Sequence, residues 1–123
     1  MIRGVVNSRR EAIIPIRVRG PSGLELDIDA VVDSGFTASL TLPSAMIAAL
    51  DLARQSAGGA VLADGSVRQF DIYAAEVYWS GGWRTVLVSA VGDEALVGMR
   101  LLAGHELRIV VVPGGAVEVT PLP

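Results

Sequence analysis

The 123-residue chain contains no cysteine, no lysine and a single histidine, His105. The absence of cysteine excludes disulfide bonds and thiolate-ligated metal sites. A serine–histidine–aspartate triad would depend on His105 alone, and a multi-histidine metal site within one chain is excluded. The net charge of −3 gives no electrostatic basis for binding nucleic acid.

Charged residues are also scarce, at 19%, whereas hydrophobic residues make up 51% of the chain. This balance excludes intrinsic disorder and predicts one domain, residues 1–123, with one core. The longest uncharged stretch, residues 34–50, is too short and too polar to span a bilayer, and the first ten residues lack a signal-peptide core. We therefore expect a cytoplasmic protein without membrane contact. So apolar a composition in so small a chain is a first indication of an oligomer.

Alternating apolar and polar residues predict strands over most of the chain. Residues Ile13–Arg19 and Leu24–Val32 alternate on either side of a Gly/Pro/Ser turn and predict a β-hairpin. Pro15 has no N–H, so it predicts that its strand lies at a sheet edge or begins there. Further strands are predicted at Ala60–Leu62 and Val67–Tyr73, at Ala75–Trp79 and Trp83–Val88, at Leu107–Val112 and at Ala116–Val119.

Two helices are predicted between these strands. Leu42–Leu52 carries proline near its start and apolar residues at helical spacing, and Met99–Ala103 is a shorter segment that stops at Gly104. The segment Ser56-Ala57-Gly58-Gly59 is predicted to break the first helix. Together these patterns predict an all-β domain, a small closed barrel with one or two short helices.

The segment Val31-Val32-Asp33-Ser34-Gly35 places a carboxylate where an apolar strand ends. By itself this segment is also what an ordinary strand-ending turn looks like, since Asp, Ser and Gly all favour turns. The surrounding sequence decides whether this carboxylate is a functional group or part of an ordinary turn, because a short motif is informative only in its structural context.

Four features, in this order, resemble the retroviral-type aspartic proteases (retropepsins) and their bacterial single-domain relatives. They are the hairpin leading into Val31–Gly35, the Asp-Gly hairpin Leu62–Val67 where the family has its flap, the strand Val67–Asp71 that leaves the flap, and Ala95–Leu102 with its Leu-Leu pair. The chain departs from the retroviral pattern at Met99, where an arginine is usual; here the arginine follows at Arg100. The flap is also less glycine-rich than the viral form.

The resemblance implies a retropepsin-type barrel that works as a homodimer, because the chain contains only one Asp-Ser-Gly. Asp33 from each copy would meet at the two-fold axis, one ionised as the base for water and one protonated as the acid for the leaving group. Ser34 is implied to hydrogen-bond across the axis, and Gly35 to let the backbone turn close to the carboxylates. No cofactor and no metal are implied.

The expected partners are a second copy of the chain and a peptide or protein substrate. Phe36 and Thr37 follow the catalytic turn and are expected to line a subsite, although Phe36 equally suits the core. Ala63, Asp64 and Gly65 are expected to cover the substrate. Two alternatives remain open: a dimeric module that binds a peptide without cleaving it, and a generic β-barrel that has only a turn at Asp33 and no reason to dimerise.

The remaining expectations concern residues outside this site. The strands within residues 5–16 and 107–119 are expected to form the dimer interface, since retroviral relatives interleave their terminal strands. Asp27 and Asp29 are expected to face solvent, Trp79 and Trp83 to form a cross-strand aromatic contact, and His105 to lie at the surface.

Overall fold

A computed structural model describes residues 1–123, the side chain of Ala60 apart. The chain forms ten strands and two short helices, so the prediction of an all-β domain with short helices is confirmed. In chain order the elements are β1 (Ile2–Val6), β2 (Ala12–Arg19), β3 (Glu25–Val32), β4 (Leu40–Thr41), α1 (Ser44–Ala49), β5 (Ala53–Val61), β6 (Val67–Trp79), β7 (Gly82–Ser89), β8 (Leu96–Val97), α2 (Met99–Leu102), β9 (His105–Ile109) and β10 (Ala116–Pro121). With six and four residues, neither of these helices is long enough to cross a membrane.

All ten strands belong to one sheet, part of which closes on itself. The order β2–β3–β8–β4–β7–β6 returns to its start, because β6 also pairs with β2. This ring encloses the core. Outside it, β5 extends from β6 as the second arm of a long hairpin, and β1, β10 and β9 extend in turn from β2.

The core follows from the two-residue period of the strands. In β2, Ile14 and Val18 are fully buried, whereas Pro15 and Arg17 between them face solvent. Asp27 and Asp29 are exposed on β3, as predicted, and Asp27 forms an ion pair with Arg17. The largest fully buried side chains come from the ring strands other than β3, from the segments around the two helices, and from β1 and β10: Ile14, Leu40, Leu42, Leu50, Leu101, Val6, Val18, Val77, Val88, Val97, Val117 and Val119.

The prediction that Pro15 marks a sheet edge is wrong for β2 as a whole. One side of β2 pairs with β3 from Ile13 to Arg19. The other side pairs with β1 only at Ala12 and Ile13 and with β6 only from Arg17 onward. Pro15 lies in the gap between these two pairings, where an N–H is not required by a neighbouring strand.

The structure also corrects the predicted break at Ser56-Ala57-Gly58-Gly59, which lies inside β5. A Cβ at Gly58 would be 2.8 Å from Cε2 of Phe70 and 2.9 Å from Cδ1 of Ile72, both on β6. Glycine here makes room for large cross-strand side chains instead of ending the strand. The helix predicted at Leu42–Leu52 is accordingly shorter, Ser44–Ala49, since β5 begins at Ala53.

The strand predicted at Leu107–Val112 ends early. β9 stops at Ile109, and the backbone then folds tightly, with the Val112 N–H donating to the Val110 carbonyl at 2.9 Å. Gly115 makes this possible, because a Cβ there would be 1.9 Å from the Val110 oxygen. Three consecutive valines, Val110–Val112, are left exposed.

The predicted aromatic contact between Trp79 and Trp83 is wrong, because Trp83 on β7 lies opposite Tyr78 on β6, and Trp79, the next residue of β6, faces the other side of the sheet. Trp83 instead packs edge-on against Tyr78, with ring centroids 5.5 Å apart. Trp79 is buried and lies 5.7 Å from the ring of His105. His105 is consequently half-buried, not a simple surface residue, and its Nε2 lies 2.6 Å from the Ser80 hydroxyl.

We expect replacement of Gly4 by alanine to destabilise the fold. A Cβ at Gly4 would be 1.8 Å from the backbone oxygen of Ile13, and a backbone atom within a sheet cannot rotate away. The free energy of unfolding should fall by about 2 kcal/mol or more, as for other overpacked sites. Gly82→Ala is the matched control, because nothing lies within 4 Å of its Cβ. Equal denaturant midpoints for the two variants would contradict this description of β1.

Candidate functional site

Asp33 follows β3 directly and is fixed there by a second strand. β3 and β8 run parallel, with Val31 opposite Leu96 and Val32 opposite Val97. The Asp33 N–H extends this ladder by donating to the Val97 carbonyl at 2.9 Å. The backbone that carries the carboxylate is therefore held by the ring, and Asp33 is half-buried.

The chain then turns sharply. The Gly35 N–H donates to Oδ1 of Asp33 at 2.9 Å, and the Phe36 N–H donates to the Asp33 carbonyl at 3.1 Å. An aspartate that accepts a hydrogen bond from the residue two positions ahead forms an Asx turn, which fixes the side chain as well as the backbone. Among the described residues, the second carboxylate oxygen of Asp33 accepts no side-chain or turn hydrogen bond. One oxygen is used for positioning, and the other is left available for a ligand.

Gly98 holds this turn from behind. A Cβ at Gly98 would be 2.1 Å from the Ala38 oxygen and 2.5 Å from Cδ2 of Phe36, so only glycine fits. The next residue, Met99, donates its N–H to the Phe36 carbonyl at 2.8 Å. The glycine of the Ala95–Leu102 segment is thus required by the close packing of the Asp33 turn against the start of α2.

Buried Thr41 completes this support. Its hydroxyl donates to the Glu94 carbonyl at 2.8 Å and accepts the Leu96 N–H at 3.0 Å, which ties β4 to the entry of β8. Sequence analysis did not single out Thr41. The alternation of polar and apolar residues in β4 is too short, at two residues, to show that this hydroxyl faces inward.

The structure brings the predicted residues 33–37 together as one turn. Ser34, Gly35 and Thr37 are exposed, and Phe36 is half-buried against Gly98. Phe36 therefore packs in part against Gly98 and stays partly accessible, and its role in a subsite stays a prediction. No three His, Asp or Glu side chains cluster as a metal site among the described residues.

The second predicted group, Ala63, Asp64 and Gly65, lies at the tip of the β5–β6 hairpin. The turn is closed by the Leu62 N–H, which donates to the Ser66 carbonyl at 2.8 Å. Gly65 has φ +84°, a conformation that favours glycine. Among the described residues, no hydrogen bond joins this tip to the Asp33 turn.

This hairpin projects from the ring as an arm. Residues 61–69 are all exposed, including Val61 at 76% and Val67 at 65%. At its base, the register with β6 shifts between Arg54 and Ser56, which is a bulge of the kind that bends a strand. The three residues expected to cover a substrate therefore lie at the exposed tip of a bent hairpin.

The largest groove of the molecule, about 910 Å³, does not contain Asp33. It lies beside Arg17, Asp27, Tyr78 and Trp83, at the far end of β3 from Asp33. A smaller cleft of about 250 Å³ adjoins the Asp33 turn at Ala38. Within one copy of the chain, the surface around Asp33 is thus open and not an enclosed pocket.

The hairpin tip depends on the charge of Asp64. The Ser66 hydroxyl, at 2.6 Å, and the Ser66 N–H, at 2.9 Å, both donate to Oδ1 of Asp64 and lower the pKa of this carboxyl below its usual range. Because the folded-state pKa is the lower one, the stabilisation is complete above the ordinary pKa of about 3.9 and is lost as pH falls through the lowered value.

We therefore expect Asp64→Ala to reduce the protection of the Ser66 amide against hydrogen exchange severalfold at neutral pH. The parent should lose the same protection only in acid, once Asp64 is protonated. Exposed Asp29→Ala is the control and should leave Ser66 unchanged. Equal protection of Ser66 in the parent and in Asp64→Ala would show that the carboxylate does not hold the turn.

Comparison with known proteins adds no assignment to this geometry. A scan against protein-family models finds no match to the chain, and a search of curated proteins finds none either. The functional argument consequently rests on the residues and their arrangement.

Proposed function

We propose that this chain is an aspartic endopeptidase of the retropepsin type that acts as a homodimer. The observation that carries the proposal is the position of Asp33, fixed by Val97 and by its own turn at the end of the parallel pair of β3 and β8. An ordinary strand-ending turn needs neither the glycine behind it at Gly98 nor a long exposed hairpin such as β5–β6. The sequence features that resemble the family thus each have a structural role suited to it.

The chemistry requires two carboxylates. One ionised Asp33 accepts a proton from water as the water attacks the peptide carbonyl, and the other Asp33 donates its proton to the leaving nitrogen. Like charges at short range cannot both ionise, so the pair holds one proton between them. Each chain supplies one Asp33, and the second must come from a second copy. The exposed Ser34 hydroxyl is free to hydrogen-bond across the axis between them.

The register of the sheet supports one face of the chain as the docking face for the second copy. Val31 lies opposite Ile13, Ile13 opposite Val5, and Val5 opposite Ala116. The Val110 N–H donates to the Ala116 carbonyl at 2.9 Å and continues the row. This row of residues crosses the sheet and starts two residues before Asp33. The end of the sheet along which it runs is therefore the same end that carries the Asp33 turn.

Exposed valines line that end of the sheet. Val5, Val110, Val111 and Val112 are between 42% and 61% exposed; we refer to these four residues as the valine band. An apolar band beside a half-complete site is what a second copy would bury. The interface proposed here modifies the expected interleaving of terminal strands, because β10 already lies between β1 and β9, and β1 pairs with β10 on one side and, at Val5 and Val6, with β2 on the other.

Substrate recognition follows from the hairpin. An extended peptide lying across the two Asp33 turns is covered by the β5–β6 arm, whose backbone can pair with it strand to strand. Phe36 and Thr37 then lie beside the peptide next to the reacting bond. The alternative function, a module that binds a peptide without cleaving it, uses the same surfaces and differs only at Asp33.

The first test is Asp33→Asn, since asparagine is nearly isosteric but can act neither as base nor as acid. Cleavage of a random peptide library, followed by mass spectrometry, should be abolished while the thermal unfolding midpoint is retained. Asp29→Asn, a change of the same kind on the exposed face of β3, should cleave like the parent. Excess Asp33→Asn chains mixed with the parent should also suppress its activity, because mixed dimers hold one carboxylate.

Three outcomes of this experiment are decisive. An active Asp33→Asn protein would contradict the proposal. Activity that excess inactive chains leave unchanged would contradict a pair of carboxylates shared between two chains. A parent that binds library peptides but never cleaves them would establish the silent binding module in its place.

A second test addresses the valine band. Val111→Asp places a charge in the proposed interface, and burial of an unpaired charge is costly, so dimer dissociation should increase by at least about tenfold. Leu24→Asp is the control, because Leu24 is similarly exposed, at 46%, but lies at the β2–β3 turn at the other end of the sheet. Analytical ultracentrifugation measures both. Equal dissociation constants for the two variants would place the interface elsewhere.

A further inference from the structure

The cleft of about 250 Å³ beside the Asp33 turn has an unusual lining. It opens between the segment Ala38–Ser39, strand β7 and the start of α2, with Ile72 at the base of the hairpin arm. Two of its residues are arginines, Arg84 and Arg100, and hydroxyl groups of Ser39, Thr85 and Ser89 accompany them. No carboxylate belongs to the lining.

Neither arginine is neutralised by a neighbour. The three ion pairs among the described side chains use Arg17, Arg19 and Arg54. The acidic residues of β6 closest to the cleft along the chain are themselves taken, because Asp71 pairs with Arg54 and Glu76 pairs with Arg19. Two cations therefore face one small cleft in a chain whose net charge is −3.

The backbones that carry the two arginines are fixed. The Arg100 N–H donates to the Ala38 carbonyl at 3.2 Å, and the buried Leu101 and Leu102 anchor α2 in the core. Arg84 lies within β7, opposite Val77 of β6. The cleft is thus a built feature of the ring, next to the turn that carries Asp33, and not a chance approach of mobile loops.

We propose that this cleft binds a carboxylate of the substrate, so that the enzyme selects peptides with an aspartate or glutamate a few residues from the cleaved bond. Guanidinium groups match carboxylates in a bidentate geometry, and a cleft of this volume holds one side chain. The cleft adjoins residue 38, five positions after Asp33, so in the proposed dimer a peptide bound across the turn would pass near it. The identification of the ligand as a substrate rests on the proposed function.

The test separates binding from cleavage. Asp33→Asn protein is titrated with two fluorescent octapeptide mixtures, random at all positions but one, which is glutamate in one mixture and glutamine in the other. The glutamate mixture should bind about tenfold more tightly, as expected for charge-assisted hydrogen bonds, and added salt should reduce the preference. Arg100→Ala and Arg84→Ala, each added to Asp33→Asn, should each weaken it.

Arg100→Glu should reverse the preference toward lysine in the same position. Arg3→Ala is the matched control, because Arg3 is exposed at the other groove and should leave the preference intact. Both mixtures are also prepared with amidated ends. Equal binding of the two mixtures that weakens equally when the C-terminus is amidated would assign the cleft to the terminal carboxylate and would overturn the selection of an internal acidic residue.

The remaining outcomes distinguish this inference from the proposed function. Active parent enzyme that cleaves both mixtures equally would overturn the acidic preference and leave the peptidase intact. A parent that cleaves neither mixture but prefers glutamate through Arg84 and Arg100 would overturn the peptidase and leave carboxylate binding by the cleft.

Discussion

The hydrogen bond from the Asp33 N–H to the Val97 carbonyl is the constraint on which the site depends. It prolongs a parallel pairing of only two residues per strand, between elements some 65 positions apart in the chain. Thr41 and Gly98 both serve this junction, one by tying β4 to the entry of β8 and the other by letting the Asp33 turn approach α2. Loss of the junction would leave the Asp33 turn at the end of an unsupported loop, where the position of its carboxylate relative to the ring is no longer fixed.

A single chain completes the strand pairing of the fold, but in the proposed enzyme it supplies only half of the site. β1, β10 and β9 pair within the chain, so the terminal sheet needs no second copy to satisfy its inner edges. The Asp33 turn and the valine band, in contrast, face solvent at one end of that sheet. In the proposed enzyme, folding and activity are therefore separate equilibria. A folded single chain is inactive, and its concentration sets the activity by mass action.

Local patterns predicted the hairpins well, because alternation and turn residues act over a few positions. The turn at residues 20–23 and the tip at Asp64-Gly65 lie where the sequence placed them. The errors arose where a distant neighbour decides the conformation. Gly58 stays in a strand because of Phe70, Pro15 stays inside the sheet because of a gap in pairing, and Val110–Val112 leave β9 because Gly115 admits a tight fold. The Asp33 motif was predicted, whereas the support from Thr41 depends on a pairing that sequence alone does not show.

The arginines Arg84 and Arg100 also show the difference between what local sequence predicts and what depends on distant parts of the chain, here for a feature related to function. Arg100 stands one residue after the place where retroviral proteases usually have an arginine, and at the start of α2 it lines a cleft. Arg84 reaches the same cleft from β7, a strand far from α2 in sequence. Since neither arginine is used by an ion pair among the described side chains, the fold gains no ion-pair stability from placing two like charges together there. In the proposed enzyme, a ligand of opposite charge accounts for two arginines that line one cleft without an ion-pair partner among the described side chains, and beside Asp33 that ligand would be an acidic part of the peptide.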